Sequence, residues 1–227
     1  MCPLHKDCIP LRLSASHTLL TAGLLCALLA GCAKRGDISS SGAGIIQIRS
    51  ACPIVAVPAY TGDVTLFDPP EGRTSEAIDV SASISNLKSG CQEQGSELVS
   101  SATFMVTALR RDPGPERVVE LPYFSAVVRG GTDVVAKRVG TVRLHFPAGS
   151  LRSQAYGSAA SFVDKAAATL PPDIEQLITK PRKSGDVDAA TDPLAQPRVR
   201  EAVQRSSFEL LVGFNLTQDQ LRHNITR

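Results

Sequence analysis

Ile78-Asp79-Val80-Ser81-Ala82-Ser83-Ile84-Ser85 decides the fold. Apolar residues fall on every second position, with polar residues between them. Side chains of an extended strand point alternately to opposite faces, so this stretch predicts a half-buried strand. The same period returns at Ala102, Phe104, Val106 and Ala108, set against Ser101, Thr103, Met105 and Thr107. It returns again at Val142, Leu144 and Phe146, set against Thr141, Arg143 and His145. Late in the chain, Phe208, Leu210, Val212, Phe214 and Leu216 share one face. Residues 118–128 are apolar on both faces and predict a covered strand, although Pro122 there implies an edge or a bulge. Shorter β segments are expected at 45–49, 53–58 and 64–67. Turn signals separate these runs at Ser89-Gly90, Asp112-Pro113-Gly114-Pro115 and Gly130-Gly131. Arg129-Gly130-Gly131-Thr132 fits a tight hairpin.

The texture changes after residue 147. Residues 158–169 are Ala-rich and predict a helix, and Pro171-Pro172-Asp173 opens a second helix to Thr179. Residues 180–197 read as loop, and 198–205 as a third helix. Thr217-Gln218-Asp219-Gln220 matches a capping box and starts a short C-terminal helix. The simplest assembly is an antiparallel β-sandwich of about seven strands, completed by strand 206–216. A helical and loop insertion at about 150–205 then precedes the last strand. At the level of architecture this resembles immunoglobulin-like and fibronectin-type-III-like modules.

The N-terminal region has a different character. Residues 1–17 carry Lys6 and Arg12 against one acid, Asp7, and residues 18–31 are apolar and uncharged. Those 14 residues fall short of the ~20 that a spanning helix needs. A basic segment, a short apolar run and small residues before a cleavage point form a signal-peptide pattern. The run ends in Leu29-Ala30-Gly31-Cys32, which resembles the lipobox of bacterial lipoproteins. That resemblance implies a signal peptide over 1–31, with Cys32 as the lipidated first mature residue. Cys32 would carry a diacylglycerol and an N-acyl chain such as palmitate. Two or more chains anchor stably where one does not. Ala33 follows the cysteine, and the family's inner-membrane retention signal is commonly an Asp at that position. The resemblance therefore points to the outer membrane, with the domain facing the periplasm. Residues 32–44, rich in Gly and Ser, read as a flexible tether, and the domain is expected over 45–227. The ending Phe-Asn-Leu-Thr-Gln-Asp-Gln-Leu (214–221) is similar to that of uncharacterised proteobacterial envelope lipoproteins.

Composition narrows the function classes. Removing Lys6, Arg12 and Asp7 from 24 basic and 22 acidic residues leaves a net charge of +1, with no basic excess to hold nucleic acid. Tryptophan is absent and aromatics are 4% of the chain, which disfavours stacking platforms for sugars or single-stranded nucleic acid. Cys2, Cys8 and Cys26 leave with the leader, and Cys32 takes lipid. Cys52 and Cys91 remain and are expected to form a disulfide in an oxidising periplasm. The alternative is two separate thiols.

The chemistry-bearing residues do not assemble into a catalytic pattern. His145 and His223 lack partners at metal-ligand spacing and read as surface histidines. Ser85-Asn86-Leu87-Lys88 and Lys183-Ser184-Gly185 approximate two serine β-lactamase elements, but the first sits at a strand end rather than a helix start. Asp186, Asp188 and Asp192 lack the Gly and Glu of an EF-hand and read as a solvated loop. Lys180, Arg182 and Lys183 form a small basic cluster. Asn215-Leu216-Thr217 and Asn224-Ile225-Thr226 match the glycosylation sequon, which carries little meaning in a periplasm. The expectation is a non-enzymatic, lipid-anchored envelope protein with no cofactor or metal, meeting an unknown envelope protein. The alternative is a small-molecule or lipid-binding module that uses the helical insertion as a cover.

Overall fold

The computed structural model describes residues 50–180, 185–187 and 191–226. Chain contacts divide the molecule into two units, and the larger one comprises Gln47–Lys180 and Ala190–Arg227. All the strands and helices among the described residues belong to that larger unit. The lipobox with Cys32, the tether and the expected strand at 45–49 lie outside the described residues.

Eight strands are present among the described residues: β1 Ile54–Ala56, β2 Asp63–Phe67, β3 Ile78–Gln94, β4 Glu97–Arg110, β5 Arg117–Arg129, β6 Asp133–Phe146, β7 Arg152–Asp164 and β8 Phe208–Phe214. Four α-helices are present among the described residues: α1 Lys165–Ala168, α2 Pro172–Thr179, α3 Pro197–Arg205 and α4 Gln218–Thr226. The strands form two four-stranded sheets, ordered β1-β8-β5-β6 and β2-β3-β4-β7. The result is the expected β-sandwich with a short C-terminal helix.

The alternation seen in the sequence produces the core. Val80, Ala82, Phe104, Val106 and Ala108 of one sheet meet Leu121, Val142, Leu144, Phe146, Leu210, Val212 and Phe214 of the other. The last strand is central, as its pattern requires. It pairs antiparallel with β5 and parallel with β1. Arg129 and Asp133 close the expected hairpin, with Gly130 and Gly131 at φ 64° and 80° supplying the left-handed turn. Thr217 and Gln220 cap α4 reciprocally: the Thr217 N–H donates to Gln220 Oε1 at 2.9 Å, and the Gln220 N–H to Thr217 Oγ1 at 3.2 Å.

Three expectations need correction. Ser89-Gly90 is not a turn: β3 runs through both, paired with Ala102 and Ser101 of β4, and the turn comes after Gln94. The Ala-rich run 158–169 is not a helix. It is strand through Asp164, and only Lys165–Ala168 is helical. The segment before the last strand therefore begins at residue 165, not near 150. Helix propensity lost to pairing: β7 bonds along its whole length to β4, and its small residues suit the interior. Gly157 lies so close to the Phe104 ring that a Cβ there would clash. Pro122 also sits differently, because β5 is an interior strand. The proline lies one residue beyond the β8 ladder, which starts at Tyr123 paired with Phe214. Its carbonyl accepts the Asn215 N–H at 2.9 Å, so its missing amide proton faces the place where that ladder has ended.

The two ends of the sandwich are built differently. At one end Arg110 is buried without an acid. Its guanidinium donates to the carbonyls of Ser150 (2.6 Å), Pro115 (2.9 Å), Gly114 (3.1 Å) and Pro147 (3.1 Å), and it lies over the Phe146 ring. It thereby ties the β4–β5 and β6–β7 connections together. At the other end Cys52 and Cys91 are bonded, with Cα atoms 6.1 Å apart across 39 residues. Near them Ser100 and Ser161 stand opposite each other on β4 and β7, both buried, with hydroxyls that have no partner.

Candidate interaction surface

The residues singled out in the sequence do not converge. His145 is exposed on β6 and pairs with Glu116 at 2.8 Å. His223 lies on α4, edge-on to Phe67. Among the described residues no group of His, Cys, Asp and Glu could hold a metal ion. Ser85 and Lys88 flank a register shift in β3, and Asn86 between them has φ 51°. The Ser85 hydroxyl faces the Met105 carbonyl at 3.4 Å rather than a helix turn. Lys183, Ser184, Arg182 and Asp188 lie outside the described residues. Asp192 caps a short 3₁₀ turn through the Leu194 N–H. The sequon residue Asn224 is buried, its amide donating to the Tyr60 and Asp63 carbonyls at 2.8 and 2.7 Å. That anchors α4 beside β2.

Among the described residues, two groups have displaced proton affinity. The Glu76 carboxyl is held below its ordinary value by its own backbone hydrogen bond and then by the hydroxyls of Ser75 and Thr74. Arg111 is raised by Asp112 beside it. Both are fully exposed, so these are surface pairings.

One open cleft of about 560 Å³ lies where β7 runs into α1, lined by Ser96, Asp164, Lys165, Ala166, Thr169, Leu170 and Pro171. The Lys165 amide donates to the Ser96 carbonyl at 2.8 Å, and its ammonium meets Glu93. Beyond this cleft the helical segment has a core of its own. Ile174, Val199 and Ala202 pack with Leu170, Leu177, Ile178 and Val203.

The sheet edges are more informative. A free edge offers unpaired N–H and C=O groups to any passing strand, so proteins shorten, cover or charge it. β1 is three residues long. β2 is five, and α4 bonds to its first residue through Asn224. β6 is fourteen residues long and carries Asp133, Lys137, Arg138 and Arg143. β7 is thirteen, and nothing between Arg152 and Asp164 is charged. Its outer-face residues Gln154, Tyr156, Ser158, Ala160 and Phe162 are exposed, with Tyr156 at 75% and Phe162 at 53%. One hydroxyl touches this edge, as Tyr123 of β5 donates to the Ser158 carbonyl at 2.7 Å. The edge can accept an extended segment by main-chain pairing, with two aromatic side chains beside it.

Sequence reasoning missed this edge because it read part of β7 as helix. The available signal was the run of eleven uncharged residues, 153–163, in which Gly157, Ser158 and Ser161 interrupt the alanines. Neither the protein-family models, nor the curated proteins, nor the solved structures compared with this chain give a match.

Proposed function

We propose that this chain is a non-enzymatic, lipid-anchored envelope protein, facing the periplasm, whose sandwich makes protein–protein contacts. The observation that carries the contact reading is β7: a long, uncharged edge with no strand paired to its outer side among the described residues, flanked by exposed aromatics. The membrane reading rests on Leu29-Ala30-Gly31-Cys32 and the apolar run before it. Anchoring at Cys32 leaves the domain in solution on a tether, and the disulfide fits an oxidising compartment.

Photo-crosslinking in intact cells tests the contact. A crosslinking amino acid at Tyr156 should yield protein adducts, and one at exposed Val139 on β6 should yield far fewer. Adducts from Val139 alone would overturn the assignment to β7. Replacing Cys32 by Ala should abolish lipid labelling, and unchanged labelling would overturn the anchor.

A second reading, a module for a small or lipidic ligand, draws on the cleft beside α1. The helical segment argues against a lid, since it buries its apolar side chains in its own core. A lipid crosslinked at Leu170 would favour that reading.

A further inference from the structure

We infer that the partner of β7 is a second copy of this chain, pairing β7 antiparallel against β7 about a two-fold axis at Ala159. The inference rests on the protein-contact reading and specifies its partner.

The β4–β7 ladder determines which backbone groups of β7 point outward. The Arg110 N–H donates to the Leu151 carbonyl at 2.9 Å, and β4 and β7 stay in one register from there to Glu97–Asp164. Odd-numbered residues of β7 therefore bond to β4, and the even-numbered ones turn their N–H and C=O to the free edge. The Ser158 carbonyl, which takes the Tyr123 hydroxyl on one lone pair and has a second for a partner N–H, agrees with this.

Those outward groups constrain the register of a second copy. With Ala159 opposite its own copy, even residues face even residues. Tyr156 then meets Phe162, Ser158 meets Ala160, and Gln154 meets Asp164. Every such pair brings outward groups against outward groups, as an antiparallel ladder requires. A register shifted by one residue would set even against odd and lose the bonds.

The side chains suit the same arrangement. Even residues also lie on the outer face of the sheet, since Ser153, Ser161 and Val163 are buried on the other. The two exposed rings, six residues apart, thus pair with each other twice across the axis. Ser158 and Ala160 at the centre are small enough for close approach. Arg152 lies diagonal to Asp164 of the second copy, within reach of a long side chain. The run's flanking charges are opposite, and antiparallel pairing alone brings them together at both ends. Charge, aromatic placement and hydrogen-bond parity select the same register.

Sedimentation of the purified full chain tests this. The parent should show a concentration-dependent dimer. Ala160→Pro removes an outward N–H without touching the β4 ladder, because prolines are tolerated on edges. It should raise the dissociation constant about 100-fold while leaving the circular dichroism unchanged. Arg152→Asp and Asp164→Arg should each weaken the dimer, and the double exchange should restore it. That rescue holds even if the proline variant fails to fold. A parent that stays monomeric at high concentration, or a double exchange that fails to restore, overturns self-pairing. If Tyr156 crosslinks in cells to a different protein while the purified chain stays monomeric, the contact reading stands and self-pairing falls. If it crosslinks to nothing and the chain is monomeric, both fall.

Discussion

β6 and β7 follow one another in the chain, differ by one residue in length, and each forms the outer edge of its sheet. They manage that position in opposite ways. The first half of β6 is exposed on both faces and carries Asp133, Lys137 and Arg138 among its valines. A strand docking there would desolvate charged side chains. β7 keeps its charges at its two ends, and between them a docking strand would meet Ser, Ala, Gly and aromatic side chains. The difference teaches that exposure of apolar side chains does not by itself mark a contact site. Val134, Val135 and Val139 on β6 are as exposed as Phe162 on β7. What separates the strands is the charge a partner would have to desolvate.

The same pair of strands can be probed from inside. The scale is set by an interior strand: Phe214→Ala on β8 should cost ~3–5 kcal/mol in chemical denaturation, because the ring is fully buried. A silent Phe214→Ala would mean that β8 is not core. Next is a matched pair of glycines. Gly157 of β7 lies against the Phe104 ring, and Gly140 of β6 lies 2.6 Å, as measured from an added Cβ, from the Tyr123 ring. Phe104 is enclosed, whereas Tyr123 reaches the surface. Gly157→Ala should therefore cost ~2–3 kcal/mol and Gly140→Ala about 1 kcal/mol. Equal costs would show that the two edges pack alike. Tyr123→Phe removes the one hydroxyl that links β5 to the β7 edge, and should cost ~1 kcal/mol. The smallest effect belongs to Ser161→Ala. Its hydroxyl is buried without a partner, so removal should leave stability unchanged or raise it by up to ~1 kcal/mol. A clear loss of stability would reveal a bound partner at that hydroxyl, such as an interior water.

Much of this fold is legible in the sequence where one face is buried and the other is wet. Ala102 through Ala108, Val142 through Phe146 and Phe208 through Phe214 all follow that rule, and the structure places each as its period requires. Local capping is equally readable, since Thr217 and Gln220 satisfy each other over three residues. β7 is harder to read, for a reason of scale. Gly157 is a glycine because Phe104 fills the space above it, and that ring comes from a strand far earlier in the chain. Ala159 and Ala160, which pair with β4, look locally like helix formers, and only that pairing makes them strand. The candidate contact site inherits the same blindness, because an edge is a property of sheet order. Sheet order is not a property of any one strand.

Placing β8 between β1 and β5 also sets a timetable for biosynthesis. A chain emerging from its N-terminus has every strand of the β2-β3-β4-β7 sheet once Asp164 is made. The other sheet cannot close until Phe214, because β1 has β8 as its hydrogen-bonded neighbour. Loop closure over so long a separation is slow. Until then the Tyr123–Arg129 side of β5 stands open where β8 will later bond. An export that halts within α2 or α3 would leave a half-finished sandwich with the β8 side of β5 uncovered, a natural client for holding chaperones.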